Sequence, residues 1–383
     1  MPRERRWYTF FHPRRVLLFA RPTPLELART RFPKLNEERI LDKFREHGRN
    51  PDEVLEKHED QIAFEDQVAQ VLKKLDIHLR LIKKFTVACK CTKWADLVMP
   101  IGGDGTFLLA SKIIRNSVTP IIGLNPRYTR ENILTHQIKS IYDVEEVFHK
   151  LWVGEFTILM RSRIRTTMIG EGLYRGPFFL HEKRERKEEK IDDLLKFADQ
   201  DTTAYQNRRR CRKLPWLTLN EVQMGEFLEA RTIALTIQAD GGQEYRVRSS
   251  GICLCTGSGS KAWFRAINLQ GREAVQMVVK LGTGRNLEDE ETDELLDKYR
   301  RFLTFAPDSR LMSYVIREMY RGDSWPKPKE CLERNMCRKL RVKSFGSDAG
   351  VILDSSISVP FNDGTTAIFE VHPEDALRTI VLQ

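Results

Sequence analysis

Seven cysteines, at 89, 91, 211, 253, 255, 331 and 337, form no CxxC pair and no zinc-ligand spacing. The reading is a reducing compartment without structural disulfides. Cys89-x-Cys91 and Cys253-x-Cys255 each predict two buried thiols on one side of an extended strand. Long apolar runs are missing as well, none approaching the roughly 20 residues of a membrane span. No Gly-Lys-Ser/Thr completes a Walker A loop, no GxGxxG spacing is present, and no internal repeat is found. A single basic arm is also lacking. The net charge of +10 favours acidic partners in general. Yet the basic residues recur in separate runs at 183–187, 208–213 and 338–341, without interleaved aromatics, which suits solvated faces and a surface linker better than a nucleic-acid groove. Residues 1–15 hold five arginines, but Glu4 spoils the pattern of a mitochondrial presequence.

What is present is an alternation of strands and helices in a chain long enough for two domains. Arg15 to Ala20 reads as a first buried strand. Val68, Val71, Leu72 and Leu75 have helical spacing and predict a helix from about Asp60 to Lys74, and Ile77, Leu79 and Leu81 alternate as a strand. Ala95 to Met99 is a further buried strand, followed by a glycine turn, a helix to about Asn116 and a strand over 119–125. A helix carrying Val144, Val147, Phe148 and Leu151 ends near Gly154. Residues 14–154 are thus expected to form a parallel α/β nucleotide-binding domain. Ligands in such sheets bind at the carboxyl ends of the strands, where Gly102 to Thr106 and Asn125 would lie together. The period then changes, so residues 155–365 read as a mostly β domain, with a charged insertion at 182–214 and a helical interruption from Ala262 to about Leu303. Closing strands are expected at 339–345, 350–354, 366–371 and 376–382, and the segment 366–383 is expected to return to the first domain.

Three constellations carry chemistry. In Gly102-Gly103-Asp104-Gly105-Thr106 a strand hands over to a helix. Glycines let backbone N–H groups close on a ligand and the helix start adds partial positive charge, which suits phosphate. Asp104 would repel phosphate unless it holds a metal or takes a proton from an attacking hydroxyl; a plain Asp-Gly turn is the bland alternative. The second constellation, Asn220-Glu221, follows the apolar stretch Pro215 to Leu219, expected as a strand. A carboxylate accepts two ribose hydroxyls well, and an amide both donates to and accepts from a base edge. The third is Thr256-Gly257-Ser258-Gly259-Ser260-Lys261-Ala262-Trp263, again between strand and helix. Its hydroxyls and glycines suit phosphate or ribose, Lys261 can neutralise charge and Trp263 can stack on a base. The same residues also suit a Ser-capped helix over a core Trp263.

GGDGT, Asn-Glu and the Thr/Ser/Gly turn ending in an Ala-aromatic pair, in this order, resemble the motif series of the NAD kinase family. Leu219 to Val222, Thr256 to Trp263, Phe361-Asn362-Asp363-Gly364 and Glu374 to Ile380 are similar to its mitochondrial branch. The resemblance implies a two-domain phosphotransferase, a homodimer in mitochondria, that phosphorylates the adenosine 2′-hydroxyl of NAD. It implies ATP as phosphoryl donor and a divalent metal, Mg2+, with no protein residue assigned as a metal ligand. By motif, Asp104 would be the catalytic carboxylate. Gly102, Gly103, Gly105 and Thr106 would hold the phosphate end, Asn125 would join the NAD/ATP-binding residues, Asn220 and Glu221 would grip NAD, and Thr256 to Trp263 would complete the NAD/ATP pocket. Neither nucleic acid nor membrane is implied as a partner.

Two departures stand out. Most NAD kinases have threonine and tyrosine at the positions of Lys261 and Trp263, a change the mitochondrial branch shares. After Asn125 that branch continues with an acidic loop containing serine and glycine, whereas this chain has the shorter, basic Pro126-Arg127-Tyr128-Thr129-Arg130-Glu131-Asn132. A lipid kinase of the diacylglycerol or sphingosine type shares GGDGT, but lacks the other two motifs in this order and would want an apolar membrane-facing surface. A non-catalytic nucleotide-binding relative would be marked by a broken Asp104 or turn, and both are intact.

Overall fold

The computed structural model describes residues 10–127, 134–138, 140–170, 178–179, 211–228, 230–320, 322 and 331–383. The chain divides into two compact units, residues 1–159 with 377–383, and residues 160–376.

In the first unit, strands β1 (Arg15–Ala20), β2 (His78–Ile82), β3 (Leu97–Ile101), β4 (Gly123–Asn125) and β5 (Thr135–Gln137) form a parallel sheet in the order β2-β1-β3-β4-β5. β3 is buried throughout and β1 from Val16 onward, which is why both read as unbroken apolar runs. Helices α1 (Pro24–Arg31), α2 (Glu37–Glu46), α3 (Pro51–Lys74), α4 (Phe85–Cys91), α5 (Asp104–Ile113) and α6 (Ile141–Val153) accompany the strands. Val68, Val71 and Leu72 of α3 and Val144, Val147 and Phe148 of α6 join the sheet residues in one core, each such side chain contributing about 1.5–3 kcal/mol.

Three expectations in this unit are corrected. α3 begins at Pro51 rather than near Asp60, because Asn50 caps it by accepting the Asp52 N–H at 3.0 Å. Its first half turns Val54 and Leu55 toward a separate small cluster with Leu25 and Ile40. The apolar stripe visible in the sequence belongs to its second half. Cys89 and Cys91 lie on α4, not on a strand, so they do not share a side; Phe85 and Ala88, three residues apart, take the buried face. The strand expected over 119–125 has a ladder only at Gly123–Asn125, with Ile121 making isolated parallel bridges to Val98 and Thr379. The final strand, Leu377–Leu382, pairs with Phe156–Arg161.

The second unit contains two antiparallel sheets. One runs in the spatial order Arg334–Cys337, Met312–Arg317, Gly251–Cys255, Glu221–Glu226, Ala349–Leu353, Ile357–Pro360 and Phe178–Phe179. The other runs Glu244–Ser249, Ile233–Ala239, Lys339–Ser344, Thr366–Val371, Ile164–Ile169 and Cys211–Lys213. In Lys339–Ser344, Leu340, Val342 and Ser344 face inward and the three cations outward, the alternation of a sheet with one covered face. Helices Trp263–Asn268, Arg272–Thr283 and Asp289–Leu303 fill the expected helical interruption. Of the expected insertion, residues 182–210 lie outside the described residues. Its end is corrected: Cys211–Lys213 is a strand beside Ile164–Ile169, and buried Leu214 donates its N–H to the Thr166 carbonyl at 2.9 Å. Pairing with that strand turns part of the basic run into sheet.

Candidate active site

In the first unit the chain leaves β3 through Gly102, at φ +133, and Gly103 caps α5 in extended conformation. A side chain at Gly102 would be strained by that φ and would also meet Thr106 Oγ1 at 2.7 Å. The Gly102 N–H donates to the Leu124 carbonyl at 2.8 Å, tying the turn to β4. Asp104 is therefore the first residue of α5, where the free N–H groups of a helix start gather. Its Oδ1 accepts the Leu134 N–H at 3.1 Å and lies 3.4 Å from the Thr135 hydroxyl, so the turn and the start of β5 fix the carboxylate. Thr135 Oγ1 in turn lies 3.5 Å from buried Asn125 Nδ2, whose Oδ1 accepts the Arg127 N–H at 3.0 Å. Thr106 is buried and Gly105 is exposed. Gly102, Gly103, Asp104, Gly105, Thr106 and Asn125 are thus brought together at the carboxyl ends of β3 and β4. Of the divergent loop, residues 128–132 lie outside the described residues, and Arg127 reaches the Lys57 carbonyl at 2.9 Å and Asp60 at 3.1 Å on α3.

The second unit gathers the other two motifs. Pro215 to Leu219 is irregular rather than a strand, and Asn220-Glu221 leads into the strand Glu221–Glu226 instead of ending one. Asp354, which no motif singled out, organises the pair. Its buried carboxylate accepts the backbone N–H groups of Leu219 at 3.0 Å, Asn220 at 2.7 Å and Glu221 at 3.1 Å. Its own N–H donates to the Glu221 carbonyl at 2.9 Å, and its φ is +43. Behind it lies fully buried Arg163, whose Nε donates to the Asp375 carbonyl at 2.6 Å. Burial pushes the Arg163 guanidinium down to about 9, against the opposing pull of Asp375 and Asp354.

The turn from Thr256 to Trp263 is locked onto Asn220-Glu221. The Thr256 hydroxyl donates to the Leu219 carbonyl at 2.5 Å and accepts the Gly259 N–H at 3.2 Å, while the Thr256 N–H donates to the Asn220 carbonyl at 2.9 Å. A β-carbon on Gly259 would stand 2.1 Å from the Asn220 carbonyl oxygen, so only glycine permits this approach. The Ser260 hydroxyl donates to the Gly257 carbonyl at 2.7 Å, and Ser258 Oγ accepts from Arg161 at 3.1 Å. These hydroxyls hold the turn itself. Lys261 is exposed, and Ala262 and Trp263 are half-exposed. The Trp263 ring packs on the cluster of Cys253, Cys255 and Phe264, with the Arg317 guanidinium 5.5 Å from its centre. Asn220 Oδ1 is buried without a hydrogen-bond partner among the described residues, a state that favours a ligand donor. Burial raises the thiols of Cys253 and Cys255 well above their ordinary range, and the Glu221 charge raises both further. Neither is a thiolate nucleophile.

The family profile of the ATP-NAD kinase N-terminal domain matches residues 28–127. The NAD kinase 2, mitochondrial, of Rattus norvegicus is 30% identical over 390 residues, covering 97% of this chain and 88% of the relative. The Homo sapiens protein of that name is 30% identical over 384 residues, covering 97% and 85%. The crystal structure of an NAD kinase from Archaeoglobus fulgidus in complex with ATP is similar at a TM-score of 0.50 and 15% identity, covering 96% of this chain and 93% of that one. Yeast NADH kinase complexed with NADH gives 0.51 and 12%, covering 97% and 84%. At those identities the two structures speak for the fold alone. The match to the rat and human relatives runs through both motif clusters and nearly end to end, and the chain belongs to the NAD kinase family.

Proposed function

We propose that this protein is an NAD kinase, transferring the γ-phosphoryl group of ATP to the adenosine 2′-hydroxyl of NAD to give NADP. The observation that carries the reading is Asp104, a carboxylate fixed at the start of α5 in a turn otherwise built for anions. Phosphoryl transfer needs positioning and charge neutralisation more than covalent help. Asp104 orients the attacking hydroxyl and takes its proton, and the N–H groups at the start of α5 face the phosphates. In the second unit, Glu221 is suited to ribose hydroxyls, and the unpartnered Asn220 Oδ1 to a donor on the base. The first unit is read as the phosphate-handling domain and the second as the domain that selects NAD.

Mg2+ takes one or two protein carboxylates and completes its shell with phosphate oxygens and water. Among the described residues no three acidic, His or Cys groups gather into a metal cage, so the phosphate oxygens of the nucleotide and water would supply most of the ion's shell and Asp104 keeps its role toward the hydroxyl. When bound, the ion supplies neutralisation of phosphate charge. The family resemblance further supports a homodimer, tested by sedimentation. The names of the rat and human relatives support a mitochondrial location, tested by imaging the tagged product of the full transcript. No helix among the described residues is long and apolar enough to cross a membrane.

The decisive assay supplies NAD, ATP and Mg2+ and reads NADP with an NADP-specific dehydrogenase. Wild type should form NADP, and Asp104→Asn should lower kcat by about 10²–10⁴-fold while NAD binding persists. A wild type that binds NAD but makes no NADP would identify a non-catalytic relative.

A further inference from the structure

Arg21 directly follows β1 and belongs to none of the three motifs. β1 and β3 run in parallel with Ala20 opposite Ile101, so Arg21 and Gly102 are the first residues beyond the carboxyl ends of two neighbouring strands. Arg21 is half-buried there, and its Nη1 stands 3.6 Å from the point a β-carbon on Gly105 would occupy. A permanent positive charge thus reaches the first turn of α5 at Gly105. No hydrogen bond or ion pair engages the Arg21 side chain among the described residues.

The main chain that carries this side chain is pinned. Gln61 Nε2 donates to the Arg21 carbonyl at 2.8 Å and to Glu65 Oε1 at 2.9 Å. Glu65 is buried and meets Lys83 Nζ at 2.8 Å, which also reaches Glu26 at 2.7 Å. Glu26 closes the capping box of α1 with Thr23. A purely structural arginine would join these carboxylates, but Lys83 takes them and the guanidinium is left out. A helix start already carries partial positive charge, so a second cation beside it is unfavourable until an anion arrives.

We propose that Arg21 grips phosphate oxygens of the nucleotide held at the GGDGT turn. The proposal rests on the reading of that turn as the phosphoryl-transfer site. A planar guanidinium donates two parallel N–H bonds to a phosphate.

Both ATP and NAD carry phosphates, so binding of each, and of adenosine, is measured by titration calorimetry on wild type, Arg21→Gln and Arg21→Lys. Arg21→Gln should weaken ATP or NAD by about ten-fold or more, leave adenosine and the melting temperature nearly unchanged, and be partly rescued by Arg21→Lys. Weakening of ATP alone assigns the contact to the donor, and of NAD alone to the acceptor's pyrophosphate. Unchanged affinity for both overturns the proposal. So does an equal loss for adenosine, which reports lost shape rather than a lost phosphate contact. An Asp104→Asn variant with full NADP formation overturns the reading of the turn, and the proposal falls with it; an inactive Asp104→Asn beside a normal Arg21→Gln sinks the proposal alone.

Discussion

Replacing Asp354 by asparagine keeps the shape of the side chain but turns one acceptor into a donor that faces backbone N–H groups. Three such groups, from Leu219, Asn220 and Glu221, converge on this carboxylate. Hydrogen bonds to a charged group are worth about 1.5–3 kcal/mol each, so Asp354→Asn should lower stability by roughly 2–4 kcal/mol, read from urea unfolding. It should also raise KM for NAD more than KM for ATP, because the peptide units it holds carry Asn220 and Glu221. Equal rises in both would count against that role. Gly259→Ala drives a methyl into the Asn220 carbonyl at 2.1 Å. That contact lies between backbones and has no side chain to yield, so NAD binding should fall by about ten-fold or more, as checked by calorimetry. The GGDGT segment was legible as a turn between strand and helix because its residues are consecutive. Asp354 was not, since Asp354-Ser355-Ser356 between two apolar runs reads as a turn. Its partners lie 133 to 135 positions away. Arg163, likewise, passes for one more residue beside an alternating strand.

Between elements, β1 is tied to the approach of β3 by Asp96, which accepts the Arg14 and Arg15 N–H groups and pairs with the Arg15 guanidinium at 2.7 Å. Burial pushes the Asp96 carboxyl up, but the bonds and charge of Arg15 and the Arg14 N–H outweigh it and hold it below the ordinary range. The unfolded chain then binds more protons than the native one. The pair's contribution is fully present above the unfolded value of about 4 and is lost as pH falls through the lower folded value. With side chains 47% and 31% exposed, solvent screening keeps it small. Asp96→Asn should flatten the acid limb of the stability curve slightly, measured by urea titration from about pH 7 down to about pH 3. The parallel sheet was readable from β1 and β3 because both are buried runs. The start of α3 was not, because its first turns pack on α1 and α2 and break the single stripe that periodicity detects. α4 was missed because a helix of seven residues is too short to show a period.

Across the whole molecule, the change of period in the sequence told of an α/β part followed by a mostly β part, since sheets with covered faces impose different patterns. Closure of the first unit by the last residues depends on pairing over more than two hundred positions. The Ile121 N–H donates to the Arg378 carbonyl at 2.9 Å, the Ile380 N–H donates to the Ile121 carbonyl at 2.9 Å, and Leu377 and Ile380 are buried. The first unit therefore completes only after the whole second unit has been synthesised. A chain ending at Ala376 loses two buried aliphatic side chains, about 1.5–3 kcal/mol each, and leaves Ile121 with unmatched backbone groups. Hydrogen exchange on that truncated chain should show lost protection at Ile121 and Ile122, while amides in Glu221–Glu226 and Gly251–Cys255 keep theirs. Protection at Ile121 as strong as in the full chain would show the last strand to be dispensable, and the bonds to Arg378 and Ile380 to carry no net stability.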